Sequence, residues 1–166
     1  MRIVLTGHKG FIGSHYYKYV KDDNEVNAYD LIEDFDLKDK SKVDSMPDCD
    51  VVIHMAATNG TRLFYETPTD VTFNNTLPTF NIVDRYKDTP TKIVFTSTCE
   101  IFNGTIDKGL YDIPTDEQVP IMFEDITKTS CIITFNIILF VLNSINKLTY
   151  EMIFLSRTIY VEVSNY

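Results

Sequence analysis

Short apolar runs recur at intervals through the first hundred residues. Each run ends at or beside a small, hydroxyl or acidic side chain, and three of the four are rich in Val and Ile. Near-continuous apolar runs of this length are typical of strands that are buried on both faces of a sheet. The strands predicted in this way are residues 2–5, 26–30, 50–55 and 92–97.

The segments between these runs favour helices. Residues 11–21 carry apolar side chains at helical spacing, and the polar segment 36–45 is predicted to hold a short helix. Residues 69–86 fit a long helix that Pro78 should kink, because proline removes an internal hydrogen bond. Alternating strands and helices predict an α/β fold, a Rossmann-type doubly wound parallel sheet with right-handed crossovers.

The pattern changes after about Lys128. All six glycines lie at or before Gly109 and all six prolines at or before Pro120, so the last part of the chain lacks turn residues. We therefore divide the chain into a domain at 1–128 and an atypical tail at 129–166, which a truncation or a change of reading frame would explain. The apolar run 132–142 is about half the ~20 residues that a membrane helix needs, so we expect it to be buried in protein.

Charge and cysteine usage narrow the classes of function. The net charge of −9, from 24 acidic and 15 basic side chains, disfavours nucleic acid as a partner. Cys49, Cys99 and Cys131 form no Cys-x-x-Cys pair, and Met1 leads directly into a strand, so we expect a cytoplasmic protein without an export signal. His15 is expected at the surface and His54 in the core, with no metal site.

A glycine-rich turn joins the first strand to the first helix. Gly7, Gly10 and Gly13 follow the spacing Gly-x-x-Gly-x-x-Gly. The pyrophosphate of a dinucleotide must approach backbone N–H groups closely at a helix N-terminus, and this requires residues without a Cβ atom. Because a strand precedes the turn and a helix follows it, the sequence predicts a dinucleotide site.

Asp30 ends the second strand, 17 residues after Gly13. A carboxylate at this position can accept hydrogen bonds from both adenosine ribose hydroxyls, and its charge repels a 2′-phosphate. No Arg or Lys adjoins it in the chain, since Leu31 and Ile32 follow, so NAD is favoured over NADP. The alternative is that Asp30 only caps a turn.

With these residues the sequence resembles the extended short-chain dehydrogenase/reductase family, in its nucleotide-sugar epimerase, dehydratase and decarboxylase branch. The resemblance covers about residues 1–125. It rests on the turn 6–13, on Asp30, on the His-x-Ala-Ala strand end at 54–57, and on the Ser-Thr-x-Glu run at 97–100. The cofactor contacts that it implies are Gly7, Gly10, Phe11, Ile12, Gly13, Asp30, Asp36, Leu37, Met55, Ala56, Ala57, Asn75 and Thr96.

The same resemblance implies catalytic roles for Thr98 and Glu100. The Thr98 hydroxyl would hydrogen-bond the sugar 4-hydroxyl that loses its hydride to NAD⁺, and Glu100 would take a proton from the 4-keto sugar. Cys99 stands where dehydratases of this branch have Asp or Ser, and a thiol of ordinary pKa is a poor acid for departing water.

The chain departs from the family at the catalytic base. No Tyr-x-x-x-Lys follows the 97–102 segment, where the family places it. One register puts Glu124 at the Tyr position, four residues before Lys128, and the other puts Cys131 and Phe135 in place of Tyr and Lys. The chain also ends where the family begins its C-terminal lobe, so we expect an incomplete fold without the substrate lobe.

Three functions are compatible with these observations. In the first, the chain is the NAD-binding part of a nucleotide-sugar epimerase or dehydratase that acts by hydride transfer at sugar C4. Alternatively, it is a catalytically inactive module that binds NAD alone, or a small-carbonyl reductase that uses Cys131 or Glu124 as an acid. The resemblance implies a nucleotide-sugar substrate and no membrane partner, and it leaves a homodimer open.

Overall fold

The computed structural model of the chain describes residues 1–96, 148–155 and 158–165. These residues form a six-stranded sheet flanked by helices. Its strand order is β2-β1-β3-β4-β6-β5. The strands are β1 (Arg2–Thr6), β2 (Glu25–Tyr29), β3 (Val51–His54), β4 (Lys92–Thr96), β5 (Leu148–Leu155) and β6 (Thr158–Asn165).

Strands β1 to β4 are parallel and form the predicted Rossmann-like core of the sheet. β1 lies between β2 and β3, and β4 pairs with the other side of β3. All four lie within a few residues of the predicted positions. Because parallel strands end on the same edge of a sheet, the turns after β1, β2 and β3 meet there.

The helices cover the connections between these strands. The predicted short and long helices are confirmed, whereas the short helix before the long one was missed. The long helix begins with Pro68, whose missing N–H costs nothing in a first turn, and Asp70 complements the helix dipole there. The helices are α1 (Phe11–Val20), α2 (Lys40–Asp44), α3 (Thr61–Glu66) and α4 (Pro68–Tyr86).

Two antiparallel strands extend the sheet beyond β4. β6 pairs with β4, and β5 pairs with β6 in register from Leu148 with Asn165 to Leu155 with Thr158. Both strands lie in the 129–166 tail, where the hydrophobic pattern assigned no strand. Residues 158–163 are rich in β-branched and aromatic side chains, the composition that favours strands.

The core lies on both faces of the central strands. Ile3, Leu5, Val51 and Ile53 form a buried cluster with Val20 of α1. Val4 and Val52, on the opposite face because side chains alternate along a strand, are also fully buried. The prediction of burial on both faces fails for β2, which is only half-buried because it is the edge strand of the sheet.

Candidate functional site

The turns at the carboxyl edge of the sheet are bonded to one another. The backbone N–H of Gly7 donates to the carbonyl of Tyr29 at 2.9 Å, which ties the glycine turn to the end of β2. The N–H of Met55 donates to the carbonyl of Thr6 at 3.1 Å, which ties the end of β3 to β1. Segments that are far apart in the sequence therefore form one surface.

The glycine turn leaves no room for side chains at two of its glycines. Gly7 has a φ of 78°, and a Cβ there would lie 2.6 Å from the nitrogen of Ala56. A Cβ on Gly13 would lie 2.1 Å from the carbonyl oxygen of Gly7. Gly10 is less restricted, with a Cβ contact of 3.2 Å to the same oxygen. The turn is therefore compact backbone, as the glycine spacing predicted.

The N-terminus of α1 opens at this turn without a capping side chain. Gly10 is the N-cap residue, no side chain accepts from the first turn, and no acidic residue lies in that turn. The first N–H groups of a helix lack intrahelical acceptors and carry partial positive charge. Phe11 is 83% and Ile12 48% exposed. This end of α1 is therefore suited to bind an anion such as a pyrophosphate.

Asp30 is adjacent to the glycine turn in the folded chain. Its Oδ2 accepts from the backbone N–H of Lys9 at 2.9 Å, and its Oδ1 accepts from that of Ile32 at 3.1 Å. The second bond caps a 3₁₀ turn at Leu31–Glu33, so the capping role foreseen for Asp30 is real. No Arg or Lys adjoins Asp30 in the chain, but the fold brings the backbone N–H of Lys9 to it, so the absence of a basic neighbour does not extend to the folded protein.

The segment around Asp36 and Leu37 is held by α4. Asp36 accepts from the N–H of Lys38 at 2.9 Å, and Leu37 is buried. The Asn81 side-chain amide donates to the carbonyl of Leu37 at 2.8 Å and to that of Lys38 at 3.2 Å. Leu37 therefore serves packing, and the cofactor contact predicted for it stays a prediction.

A buried chain of hydrogen bonds centred on His54 supports the turn after β3. Thr6 Oγ1 lies 2.6 Å from His54 Nδ1, and His54 Nε2 lies 3.1 Å from Thr79 Oγ1. The Thr79 hydroxyl donates to the carbonyl of Asn75 at 2.9 Å, so it must accept from His54. His54 therefore carries its proton on Nε2 and accepts from Thr6 at Nδ1. The prediction of a core histidine with hydrogen-bond partners is confirmed.

Burial keeps this histidine neutral. Desolvation lowers the pKa of His54 to about 4, because removal from water disfavours the charged ring. The N–H of Ala56 donates to Thr6 Oγ1 at 3.4 Å, so the chain of bonds reaches the turn that faces Gly7. Thr6 and Thr79 were not predicted as site residues, although hydroxyls beside a buried strand end are a usable signal.

Asn75 clamps the same turn from α4. Its Oδ1 accepts from the N–H of Thr58 at 2.6 Å, and its Nδ2 donates to the carbonyl of Thr58 at 3.0 Å. The two bonds use both ends of the amide and fix the path of the backbone after β3. Met55 and Ala56 are half-buried on this path, whereas Ala57 is exposed.

The remaining predicted residues divide into two groups. Thr96 is the last residue of β4 and lies at the same sheet edge, half-buried. Thr98, Glu100, Glu124 and Cys131 lie outside the described residues, as does the apolar run 132–142.

A Tyr-x-x-x-Lys spacing does occur at the far end of α1. Lys21 directly follows the helix, and its Nζ donates to Asp22 Oδ1 at 2.9 Å. The Tyr17 ring packs against the ring of His8 in the glycine turn, with centroids 5.4 Å apart, whereas Lys21 lies beyond the last residue of α1. Tyr17 therefore packs against His8 while Lys21 pairs with Asp22, so the two side chains do not form a Tyr–Lys pair with each other.

In residues 1–96 and the two tail strands, no group of three or more His, Cys, Asp or Glu side chains could hold a metal ion. No helix in this part of the chain has the length and apolar character needed to cross a membrane.

Known structures share this fold. A crystal structure of UDP-galactose 4-epimerase is 28% identical with a TM-score of 0.69, and the match covers 88% of this chain and 53% of that one. UDP-glucose 4-epimerase from Bifidobacterium longum, in complex with NAD⁺ and UDP, is 19% identical with a TM-score of 0.69, over 87% and 50%. RMD from Pseudomonas aeruginosa, complexed with NADPH, is 18% identical with a TM-score of 0.63, over 82% and 46%.

The chain thus spans about half the length of these structures. No curated protein sequence matches it. The model of the NAD dependent epimerase/dehydratase family matches residues 3–121, which is more than half of the chain. The match includes the glycine turn, Asp30 and the turn after β3, the segments that the structure brings together at one sheet edge. The chain therefore belongs to the NAD dependent epimerase/dehydratase family.

Proposed function

We propose that this chain is the NAD-binding part of a nucleotide-sugar epimerase or dehydratase that acts by hydride transfer at sugar C4. The observation that carries the proposal is the uncapped N-terminus of α1, which opens at a glycine turn with no room for a Cβ at Gly7 or Gly13. Membership of the family and the 28% identity to UDP-galactose 4-epimerase support it.

The described residues fit a dinucleotide in three places. The first N–H groups of α1, at Phe11 and Ile12, would hold the pyrophosphate. Asp30 would accept from the adenosine ribose with the lone pairs that Lys9 and Ile32 leave free. Bound NAD⁺ supplies a hydride acceptor. The remaining contacts to the dinucleotide would come from the turn after β3 and from residues near it: Met55, Ala56, Ala57, Asp36, Leu37, Asn75 and Thr96.

The catalytic part of the proposal rests on sequence. Thr98 follows the last residue of β4 by two positions, so the chain leaves the carboxyl edge of the sheet directly before it. Its hydroxyl would orient the sugar 4-hydroxyl, and Glu100 would hold or remove the proton next to the 4-keto group. The substrate would be a nucleotide sugar, because a relative of known structure at 28% identity is UDP-galactose 4-epimerase.

A second function is favoured by one observation. No Tyr-x-x-x-Lys follows residue 102, so the pair that this family uses to take the hydroxyl proton is not at its usual place. In this case the chain binds NAD(H) without turnover. Incubating it with NAD⁺ and UDP-galactose or UDP-glucose separates the two functions, since epimerisation or dehydration of the sugar would support the first and overturn binding without turnover.

Gly10→Asp tests the cofactor site. Gly10 has φ −67° and ψ 168°, a conformation that any residue adopts, and Asp is a favoured N-cap residue. Its charge at about 5 Å from a doubly charged pyrophosphate costs about 1.7 kcal/mol in a water-like dielectric, or about fifteenfold in Kd. We expect NADH binding, followed by fluorescence, to weaken to this extent while the melting temperature is kept or raised.

Gly10→Asn is the matched control for this experiment. Asn has the same shape, makes the same 3.2 Å approach of its Cβ to Gly7, and caps a helix, but it carries no charge. Equal NADH affinities for the Asp and Asn variants would show that no anion binds at this helix end, and the proposed cofactor site would be wrong.

A further inference from the structure

Glu33 lies between two basic side chains of the glycine turn. Its Oε1 is 2.7 Å from Lys9 Nζ, and its Oε2 is 3.2 Å from His8 Nε2. Glu33 is the last residue of the 3₁₀ turn that Asp30 caps, and Asp30 itself accepts from the Lys9 backbone. The segment after β2 and the glycine turn are therefore joined twice, once by Asp30 and the Lys9 backbone and once by the side chains of Glu33 and Lys9.

The ammonium group of Lys9 is paired with the carboxylate of Glu33. The hydrogen bond from Lys9 lowers the pKa of Glu33, and the same bond raises the pKa of Lys9, so both are ionised at neutral pH. Both side chains are about half exposed, 43% for Lys9 and 45% for Glu33, so a ligand at this surface would meet them. His8 is buried, its Nε2 is bonded to Glu33, its Nδ1 has no hydrogen-bond partner among the described residues, and its ring packs against that of Tyr17.

We propose that Glu33 is a specificity-determining residue that makes the site reject a 2′-phosphate. The inference rests on the proposed function, in which Asp30 receives the adenosine ribose. A 2′-phosphate there would meet the carboxylates of Asp30 and Glu33, and the nearby ammonium of Lys9 is already paired. Asp30, Glu33 and Lys9 together carry a charge of −1, whereas Asp30 and Lys9 alone would carry none. Glu33 therefore sets the sign of the local charge.

Glu33→Gln tests the assignment in the full chain. Gln keeps the length and can still bond to His8 and Lys9, but it removes the charge that neutralises Lys9. One unit charge at about 8 Å from a doubly charged phosphate in a water-like dielectric corresponds to about sixfold in affinity. We expect the ratio of the Kd for NADPH to the Kd for NADH to fall by about this factor. Glu33→Ala, which removes both bonds as well, is expected to lower the ratio in the same direction.

Asp34→Asn is the matched control. Asp34 follows Glu33, its side chain is fully exposed, and its φ of 61° is tolerated by Asn. The substitution changes the net charge equally but touches neither Lys9 nor His8, so we expect the ratio to stay near that of the wild type. In the double variant Lys9→Met/Glu33→Gln, loss of the ammonium should cancel the gain for NADPH.

The possible outcomes distinguish the role of Glu33 from the proposed NAD-binding function. If the wild-type chain binds neither NADH nor NADPH, the proposed function is wrong, and this inference is overturned with it. If the wild type binds NADH but Glu33→Gln leaves the ratio unchanged, or Asp34→Asn shifts it as much, only the role of Glu33 is overturned. Circular dichroism of each variant shows that it is folded.

Discussion

The buried imidazole of His54 makes the stability of the fold depend on pH. Its pKa is about 4 in the folded chain and 6.5 in an unfolded one, so between these values the unfolded state binds more protons. The free energy of unfolding therefore has its full value above pH 6.5, where His54 is neutral in both states, and falls as the pH falls towards 4. Over this window the loss approaches about 3 kcal/mol, and between pH 7 and pH 5 it is about 2 kcal/mol.

The structure explains why a proton is not tolerated. A second ring N–H, at Nδ1, would face Thr6 Oγ1 at 2.6 Å, and that oxygen already accepts from the N–H of Ala56. The Thr6 hydroxyl would then lose the acceptor to which it donates, inside a core where unpaired polar groups are costly. Protonation therefore disturbs the turn after β3 as well as the core.

Urea denaturation at several pH values measures this effect. We expect the free energy of unfolding of the wild type to fall by about 2 kcal/mol more than that of His54→Gln between pH 7 and pH 5, because Gln does not titrate. His15→Gln is the control, since His15 is exposed and should leave the wild-type slope intact. Parallel pH dependences for the wild type and His54→Gln would show that His54 does not couple folding to pH, as would an NMR titration of the His54 ring with a midpoint near 6.5.

Two further substitutions test the packing around the site. Gly13→Ala would place a Cβ 2.1 Å from the carbonyl oxygen of Gly7, so we expect the free energy of unfolding, measured by urea denaturation, to fall by more than about 2 kcal/mol. A fall below about 0.5 kcal/mol, which is usual for surface substitutions, would contradict the compact turn. Tyr86→Phe removes the hydrogen bond that the buried Tyr86 hydroxyl donates to the carbonyl of Pro47 at 2.9 Å. We expect the free energy of unfolding to fall by about 1–2 kcal/mol in the same assay, and no fall would mean that this carbonyl finds another donor.

The strands, the long helix and the glycine turn could be predicted because each depends on nearby residues. An apolar run predicts burial wherever the run lies, and a glycine triplet between a strand and a helix predicts a turn without Cβ atoms. Asp30 could be identified by its position at a strand end. The strands β5 and β6 could not be predicted with the same rules, because their segments lack the turn residues that mark the first half of the chain. The helix α3 is flanked by Gly60 and Pro68, but its 6 residues are too few for helical periodicity to show.

The composition of the glycine turn, its place between β1 and α1, and the parallel order of the first strands were determined by the sequence itself. Which charges surround that turn was decided only by the tertiary structure. Lys9 meets Asp30 across 21 positions, and Thr6 meets His54 across 48, because β1, β2 and β3 lie side by side and end on the same edge. Local periodicity records which side of an element is apolar, but not which polar groups of separate elements come within hydrogen-bond distance. The pairing of Glu33 with Lys9 and the tautomer of His54 are properties of the folded sheet edge for this reason.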